Sequence, residues 1–269
     1  MVKAVSVLIC LFIGVVYTYA DLADGLISAW TFDDGTARDS VGNNDGEIKG
    51  GVDVTDGKFG KAFSFNGKDG FIQIPHDKSL EALADGLTVS AWIYVKQFVD
   101  HAAVIFKGEK IGWTNNYVFR IATLGSPGSL TWGVCVPGTE GWFHTEGAIE
   151  PNKWFFVCLT ADGKQAVGHV AGEDGKVKIP ASGQGNPHPI VAPYRTCPDF
   201  PIEIGVGRAV GGTVGNDNYY NGIIDEIYLW NRALSEDEIA QLAKGARPKG
   251  VFPVEPSGKL ATLWGFIKR

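Results

Sequence analysis

Asp225 stands in the segment GIIDEIYLWNRALSEDEIAQL, residues 222–242, where an alternating strand over 223–230 places it on the face of Ile223, Ile227 and Leu229. A carboxylate on an apolar face needs compensation, because burying it ionised and alone is strongly unfavourable. Three arrangements supply it: a bound cation, a salt bridge to Arg232 two residues past the strand, or a set of hydrogen-bond donors. Glu226 adds a second carboxylate. Adjacent strand residues point to opposite faces, so this pair is not expected to flank one glycosidic bond as acid and base.

Two further segments carry the chemistry of sugar recognition. Pyranose rings present CH faces that stack on aromatic side chains and hydroxyls that seek amides and carboxylates. Trp113, Asn115, Asn116 and Tyr117 form one such mixture, and Asn216, Asp217, Asn218, Tyr219 and Tyr220 form the other, with Trp132 and Trp142 as additional rings. The expectation is that both loops lie at one end or face of the fold and make a shallow glycan groove. The competing reading has the aromatics capping a β-sandwich and the amides only forming turns.

Signatures of catalysis are missing. His76, His101, His144, His169 and His188 show no metal-ligand spacing and read as lone surface histidines. Neither a Gly-x-Ser-x-Gly elbow nor a phosphate-binding loop occurs. Binding rather than turnover is therefore expected.

The elements that must position these residues are strands. Leu87, Val89, Ala91, Ile93 and Val95 alternate with Thr88, Ser90, Trp92 and Tyr94, giving one core face and one polar, aromatic face. Similar strands are read over 26–32, 61–65, 71–74, 102–106, 117–122, 130–136, 154–160, 165–170 and 202–206, with Asp-Gly turns at 85–86, 162–163 and 174–175. One helix is expected, opening at Ser235 with Glu238 in a capping box and ending near Gly245. Residues 180–201 hold six prolines and read as a long loop. Without sustained βαβ alternation, a parallel sheet with a nucleotide crevice is not expected.

Compartment and partners follow from the ends and the charge. Residues 1–20 join a short basic start to an apolar run and read as a cleaved signal peptide, residues 21–249 as the domain, and 250–269 as a C-terminal tail, frayed or used in docking. No second apolar run follows, so a membrane span is not expected. The formal net charge is −6, and −7 once the leader with Lys3 is removed. An acidic, secreted chain without a basic cluster is not expected to bind nucleic acid. Three cysteines remain, Cys135, Cys158 and Cys197, allowing at most one disulfide, for which Cys197 is the expected member with Cys135 or Cys158 as its partner.

Four stretches, ISAWTFDDGTARDSVGNNDGEI, GKFGKAFSFNGKDGFIQIP, LTVSAWIYV and GIIDEIYLWNRALSEDEIAQL, together resemble the laminin-G-like, concanavalin-A-like domains found in secreted bacterial proteins. The resemblance implies an all-β, antiparallel two-sheet jelly roll with its first and last strands adjacent and one short C-terminal helix. It implies a calcium ion held by Asp39, Asn66 and Asp225, with carbonyls near 42–44 helping, and oxygen donors of this kind suit calcium. The middle of the chain departs from the pattern, reading WFFVCLTADG. The glucanase motif Glu-x-Asp-x-x-Glu also fails, since Ile223 and Tyr228 occupy its glutamate positions around Asp225. The reading is a secreted, non-catalytic carbohydrate-binding module with structural calcium and a glycan or glycoprotein partner. A protein-binding adhesion module is the alternative, and a glycan hydrolase a third.

Overall fold

Strand Leu87–Gln97 explains the layering of the molecule. The computed structural model describes residues 21–108, 117–136, 141–208 and 217–251. Leu87, Val89, Ala91, Ile93 and Val95 enter the main core, whereas Trp92 joins a second apolar cluster on the opposite side. The strand is therefore buried on both faces. It sits inside a nine-stranded antiparallel sheet, between Trp154–Ala161 on one side and Asn221–Trp230 on the other.

Asn221–Trp230 also pairs with Lys61–Asn66 and with Leu26–Trp30, so the first and last long strands are neighbours, as the resemblance implies. The second sheet has seven strands in the order Trp142–Thr145, Leu130–Val134, Tyr117–Thr123, Ala103–Gly108, Ile202–Ile204, Phe71–Ile74 and Glu47–Lys49. Between the sheets lie Trp30, Phe63, Phe65, Phe119, Trp132 and Phe143, each fully or nearly fully buried. Burial of a side chain this large contributes roughly 1.5–3 kcal/mol, which is why so glycine-rich a chain holds together.

The expected helix forms over Glu236–Ala243 with the capping box intact, and its Ile239 and Leu242 cover the outer face of the nine-stranded sheet. Elements with weak alternation escape the sequence reading: the strands Glu47–Lys49, Val52–Asp56 and Trp142–Thr145, and a 3₁₀ turn over Lys78–Ala84 capped by Asp77. The Asp162-Gly163 and Asp174-Gly175 turns do close hairpins. Asp85-Gly86 instead joins the 3₁₀ turn to the central strand.

The expected disulfide is absent, and the three described cysteines are buried thiols. Cys158 faces the outer cluster of the nine-stranded sheet, while Cys197 belongs to the core between the sheets. A buried ammonium group holds the proline-rich loop instead: Lys107 Nζ donates to the carbonyls of Cys197 and Phe200 at 3.1 and 2.7 Å. Burial lowers the Lys107 pKa to about 8. Among the described residues no helix is long and apolar enough to cross a membrane. The expected leader, 1–20, and the tail from 252 onward lie outside the described residues.

Candidate functional site

The seven-stranded sheet carries a chemically mixed row on the face turned away from the core. Strand register aligns Glu47, Gln73, Glu203, Phe106, Arg120, Gly133 and Trp142, one from each strand. Their neighbours Ile72, Ile105, Ile121, Trp132, Phe143 and Ile204 point into the core, so the row points out. The next row along contains Ala122, Thr131 and His144. Phe106 packs with Ala103, Ala122 and Cys135 in a small cluster of its own.

The row has two different ends. At one, Arg208 donates to both oxygens of Glu203 and also to Asp217, and its guanidinium lies 4.8 Å from the Phe71 ring. Tyr219, in the hairpin Val206–Gly207 with Asn218–Tyr219, approaches Phe71 at 6.3 Å. One cation thus neutralises two carboxylates, which leaves neither as a free acid or base.

The other end carries an aromatic pair and a buried arginine. Trp142 and His144 are partly exposed, with ring centroids 4.8 Å apart. Arg120 is buried beneath them and His101 enters from the adjoining loop. Burial, then the Arg120 charge and His101, hold the His144 pKa below its ordinary value, with Asp100 opposing. Burial lowers His101 as well, with Asp100 opposing and Arg120 reinforcing. His101 Nδ1, His144 Nδ1 and the hydroxyl of fully buried Thr131 have no hydrogen-bond partner.

Of the expected sugar-binding residues, Trp113, Asn115, Asn116 and Asn216 lie outside the described residues, as does the side chain of Tyr117. The anchors of the two segments lie at opposite ends of strand Ala103–Gly108. The first leaves after Gly108, whereas Ile202–Ile204 runs antiparallel to that strand and carries the second toward its start. Tyr220 is core rather than ligand surface, 1% exposed and edge-on to Phe65. Trp132 is core too, its indole N–H donating to Thr145 Oγ1 at 2.9 Å. Tyr219, Asn218 and Asp217 stay at the surface end of the row, with Asp217 tied to Arg208.

The acidic residues are arranged differently from expectation. Asp39 accepts the N–H groups of Ala29, Val41 and Asn44 at 2.9–3.1 Å, which pins its own loop. Asn66 Oδ1 accepts from Lys68, Asp69 and Gly70 in a tight turn. Asn66 pairs with Asn221, four residues along the strand from Asp225, so the three do not converge. Among the described residues no group of three acidic, histidine or cysteine side chains is placed to hold a metal. The proposed calcium set therefore does not fit as one site: its oxygens serve separate loops.

Asp225 does not meet Arg232, which pairs with Glu238 at 2.6 and 3.0 Å. Nor does it share a face with Ile227 and Leu229. A β-bulge follows Asp225, with Glu226 at φ +50, so Asp225 faces outward beside Trp92 while Ile224, Ile227 and Leu229 face the core. Phe59 N–H donates to Asp225 Oδ2 at 3.0 Å, and Oδ1 has no partner. Gly57 permits this approach, since a Cβ there would lie 2.5 Å from Oδ2. Glu226 accepts from Tyr228 and from Arg247, and Arg247 also holds Asp33. Burial first, then Glu226 and Asp33, push the Asp225 pKa up to about 8. Burial raises Glu226 to about 7 against the pull of Tyr228 and Arg247. With two donors, Glu226 is the better stabilised carboxylate of the two.

Sequence reasoning missed Arg120, His101, His144 and Glu203 as a group. Arg120 opposes the apolar positions 119 and 121, a period-2 signal that was available, but the short strand Trp142–Thr145 gives too little alternation to be read.

A family model described as the concanavalin A-like lectin/glucanases superfamily, Laminin_G_3, matches residues 66–240. The chain resembles domain 4 of AbnA, a GH43 extracellular arabinanase from Geobacillus stearothermophilus solved with arabinotriose. That likeness has 20% identity and a TM-score of 0.55, and covers 81% of this chain and 98% of that one. It also resembles the binding domain of botulinum neurotoxin serotype C1, at 15% identity and TM-score 0.61, covering 84% of this chain and 53% of that one. The neurotoxin DC binding domain in complex with rat synaptotagmin II matches at 16% and 0.58, over 82% and 52%. The chain thus spans about half the length of these two toxin domains. A comparison with curated proteins finds no match.

Proposed function

The chain belongs to the concanavalin A-like lectin/glucanase superfamily, and on that premise we propose that it is a secreted, non-catalytic carbohydrate-binding module. The glycan lies on the outer face of the seven-stranded sheet, at the end where Trp142 stands. One observation carries this reading: Trp142 and His144 form a partly exposed aromatic pair beside buried polar groups, the combination that a pyranose face and its hydroxyls require. Solved neighbours include a domain holding arabinotriose. Secretion rests on the basic, then apolar, start of the sequence. Absence of catalysis is supported by the pairing of Glu203 and Asp217 with one arginine and by the burial of Asp225 and Glu226.

A glycan array probed with the mature protein and with Trp142→Ala tests the proposal. Binding by the first and a loss of about 1–3 kcal/mol in the second, with unchanged circular dichroism, is expected. Equal binding by both overturns the assignment to this face, and release of reducing ends overturns its non-catalytic part. The adhesion reading draws on the neighbour solved with synaptotagmin, and an empty array together with capture by a defined extracellular protein would favour it.

A further inference from the structure

We propose that the trough between the helix Glu236–Ala243 and the short edge strand Val177–Lys178 docks an extended peptide segment of a protein partner, one with a basic, an aliphatic and an acidic residue at alternate positions. The inference is independent of the glycan reading, because the trough lies on the outer face of the nine-stranded sheet. Its volume is about 610 Å³, and a recess of about 200 Å³ adjoins it, sharing His169, Ile179, Glu236 and Ile239. Clefts of this size hold ligands.

The helix sets the spacing of charge. Glu236, Ala240 and Lys244 follow one another at i, i+4 and i+8 and all line the trough, with Asp237 beside the first of them. At a rise of about 1.5 Å per residue, the acidic start of the helix stands about 12 Å from Lys244. On the opposite wall Gly175, at φ +65, packs on the helix end, where a Cβ would lie 2.9 Å from Lys244 Cγ, and this contact brings Lys176 to the same end. Two acids therefore face one end and two lysines the other. Among the described residues none of these four side chains takes part in a salt bridge or side-chain hydrogen bond.

Between the charged ends the lining is aliphatic. Ile239 and Ala240 of the helix stand across from Val177 and Ile179, and Ile179 is 45% exposed. His169 lies beneath with its Nε2 3.2 Å from Thr160 Oγ1, and burial lowers its pKa to about 4, so the floor is uncharged at neutral pH. The helix dipole explains acids at the helix start and a lysine at its end. It does not explain Lys176, which comes from the other wall, or an isoleucine left open to water.

An extended chain advances about 3.3 Å per residue and turns alternate side chains to one face, so residues i, i+2 and i+4 span about 13 Å on one side. That matches the trough. A cation at one end meets Glu236 and Asp237, an anion at the other meets Lys176 and Lys244, and the middle side chain lies on Ile179 and Ile239.

Fluorescence polarisation of the full chain with four labelled peptides tests the proposal. They share a Thr-Val-Thr centre and carry on its two sides Lys and Glu, Lys and Lys, Glu and Glu, or Gln and Gln. The Lys/Glu peptide is expected to bind about three- to tenfold tighter than each of the others, with the gap closing in added salt. In the double variant Lys176→Glu with Lys244→Glu both ends are acidic, and the preference should pass to the Lys/Lys peptide, an exchange that misfolding does not produce. Ile179→Ser, at an exposed position, should weaken binding of the Lys/Glu peptide about three- to tenfold. Equal affinity for the four peptides, or the same order of preference in the double variant, overturns the inference. Binding of none of them overturns it as well and leaves glycan binding, read through Trp142→Ala, untouched.

Discussion

Asp225 and Glu226 are consecutive residues of one strand and lie on the same face of their sheet. The bulge at Glu226 inserts one extra residue opposite Leu87–Gln97, so the alternation of faces slips by one. Both carboxylates enter a layer shared with Asp33, Tyr228 and Arg247, outside the main core. Three acids around one guanidinium are tolerable there because burial favours the neutral form of Asp225, which also takes a backbone donor.

Replacing Asp225 by asparagine keeps the shape and the acceptor for Phe59 while removing the ionisation, and should not destabilise the domain at neutral pH by more than about 1 kcal/mol. Asp225→Ala leaves the Phe59 N–H unpaired beside a cavity and should cost about 2–4 kcal/mol. Urea denaturation of the two variants reads the difference. An asparagine variant as damaged as the alanine one would show that the negative charge is needed.

Stability should depend on pH through the same residue. The unfolded carboxyl loses its proton near 3.8 and the folded one near 8, so between these values the native state holds one more proton. Stability from this group is fully present below 3.8 and is lost as pH rises toward about 8. Wild type measured by urea melts should lose about 1–3 kcal/mol more than Asp225→Asn across that window. Parallel profiles for the two proteins would refute it.

Arg247→Ala should destabilise the domain by about 2–4 kcal/mol, because it leaves Glu226 and Asp33 as buried carboxylates without their cation. The double variant Arg247→Ala with Glu226→Gln should recover part of that loss. No recovery would mean that packing, rather than the charge on Glu226, sets the cost.

Calcium is expected to matter little. Asp39 and Asn66 accept N–H groups that fix their own loops, Asp225 Oδ2 accepts from Phe59, and the three side chains stand apart. Melting in millimolar calcium and in chelator should therefore give midpoints within about 1 °C of each other. A shift of several degrees, lost on mutating any of the three, would restore the metal site.

Much of the architecture was legible in the residues alone. Regular alternation such as Leu87 to Val95 has one physical solution, an apolar face inward, and Ser235 with Glu238 closes a helix start through local hydrogen bonds. Such signals act over a few residues and so survive in a linear reading. The face of Asp225 did not, because one extra residue in a bulge reverses every following side chain and leaves little mark in composition. The partner of Arg232 was settled by the helix turning Glu238 back toward it. Lys107 rather than a disulfide came to hold the proline-rich loop because carbonyls 90 and more residues away are brought to its ammonium group. The candidate site was least legible of all: Arg120 comes from one strand and Trp142 and His144 from another, with Leu130–Val134 between them, and only the register of those strands sets a guanidinium, an indole and an imidazole on one face.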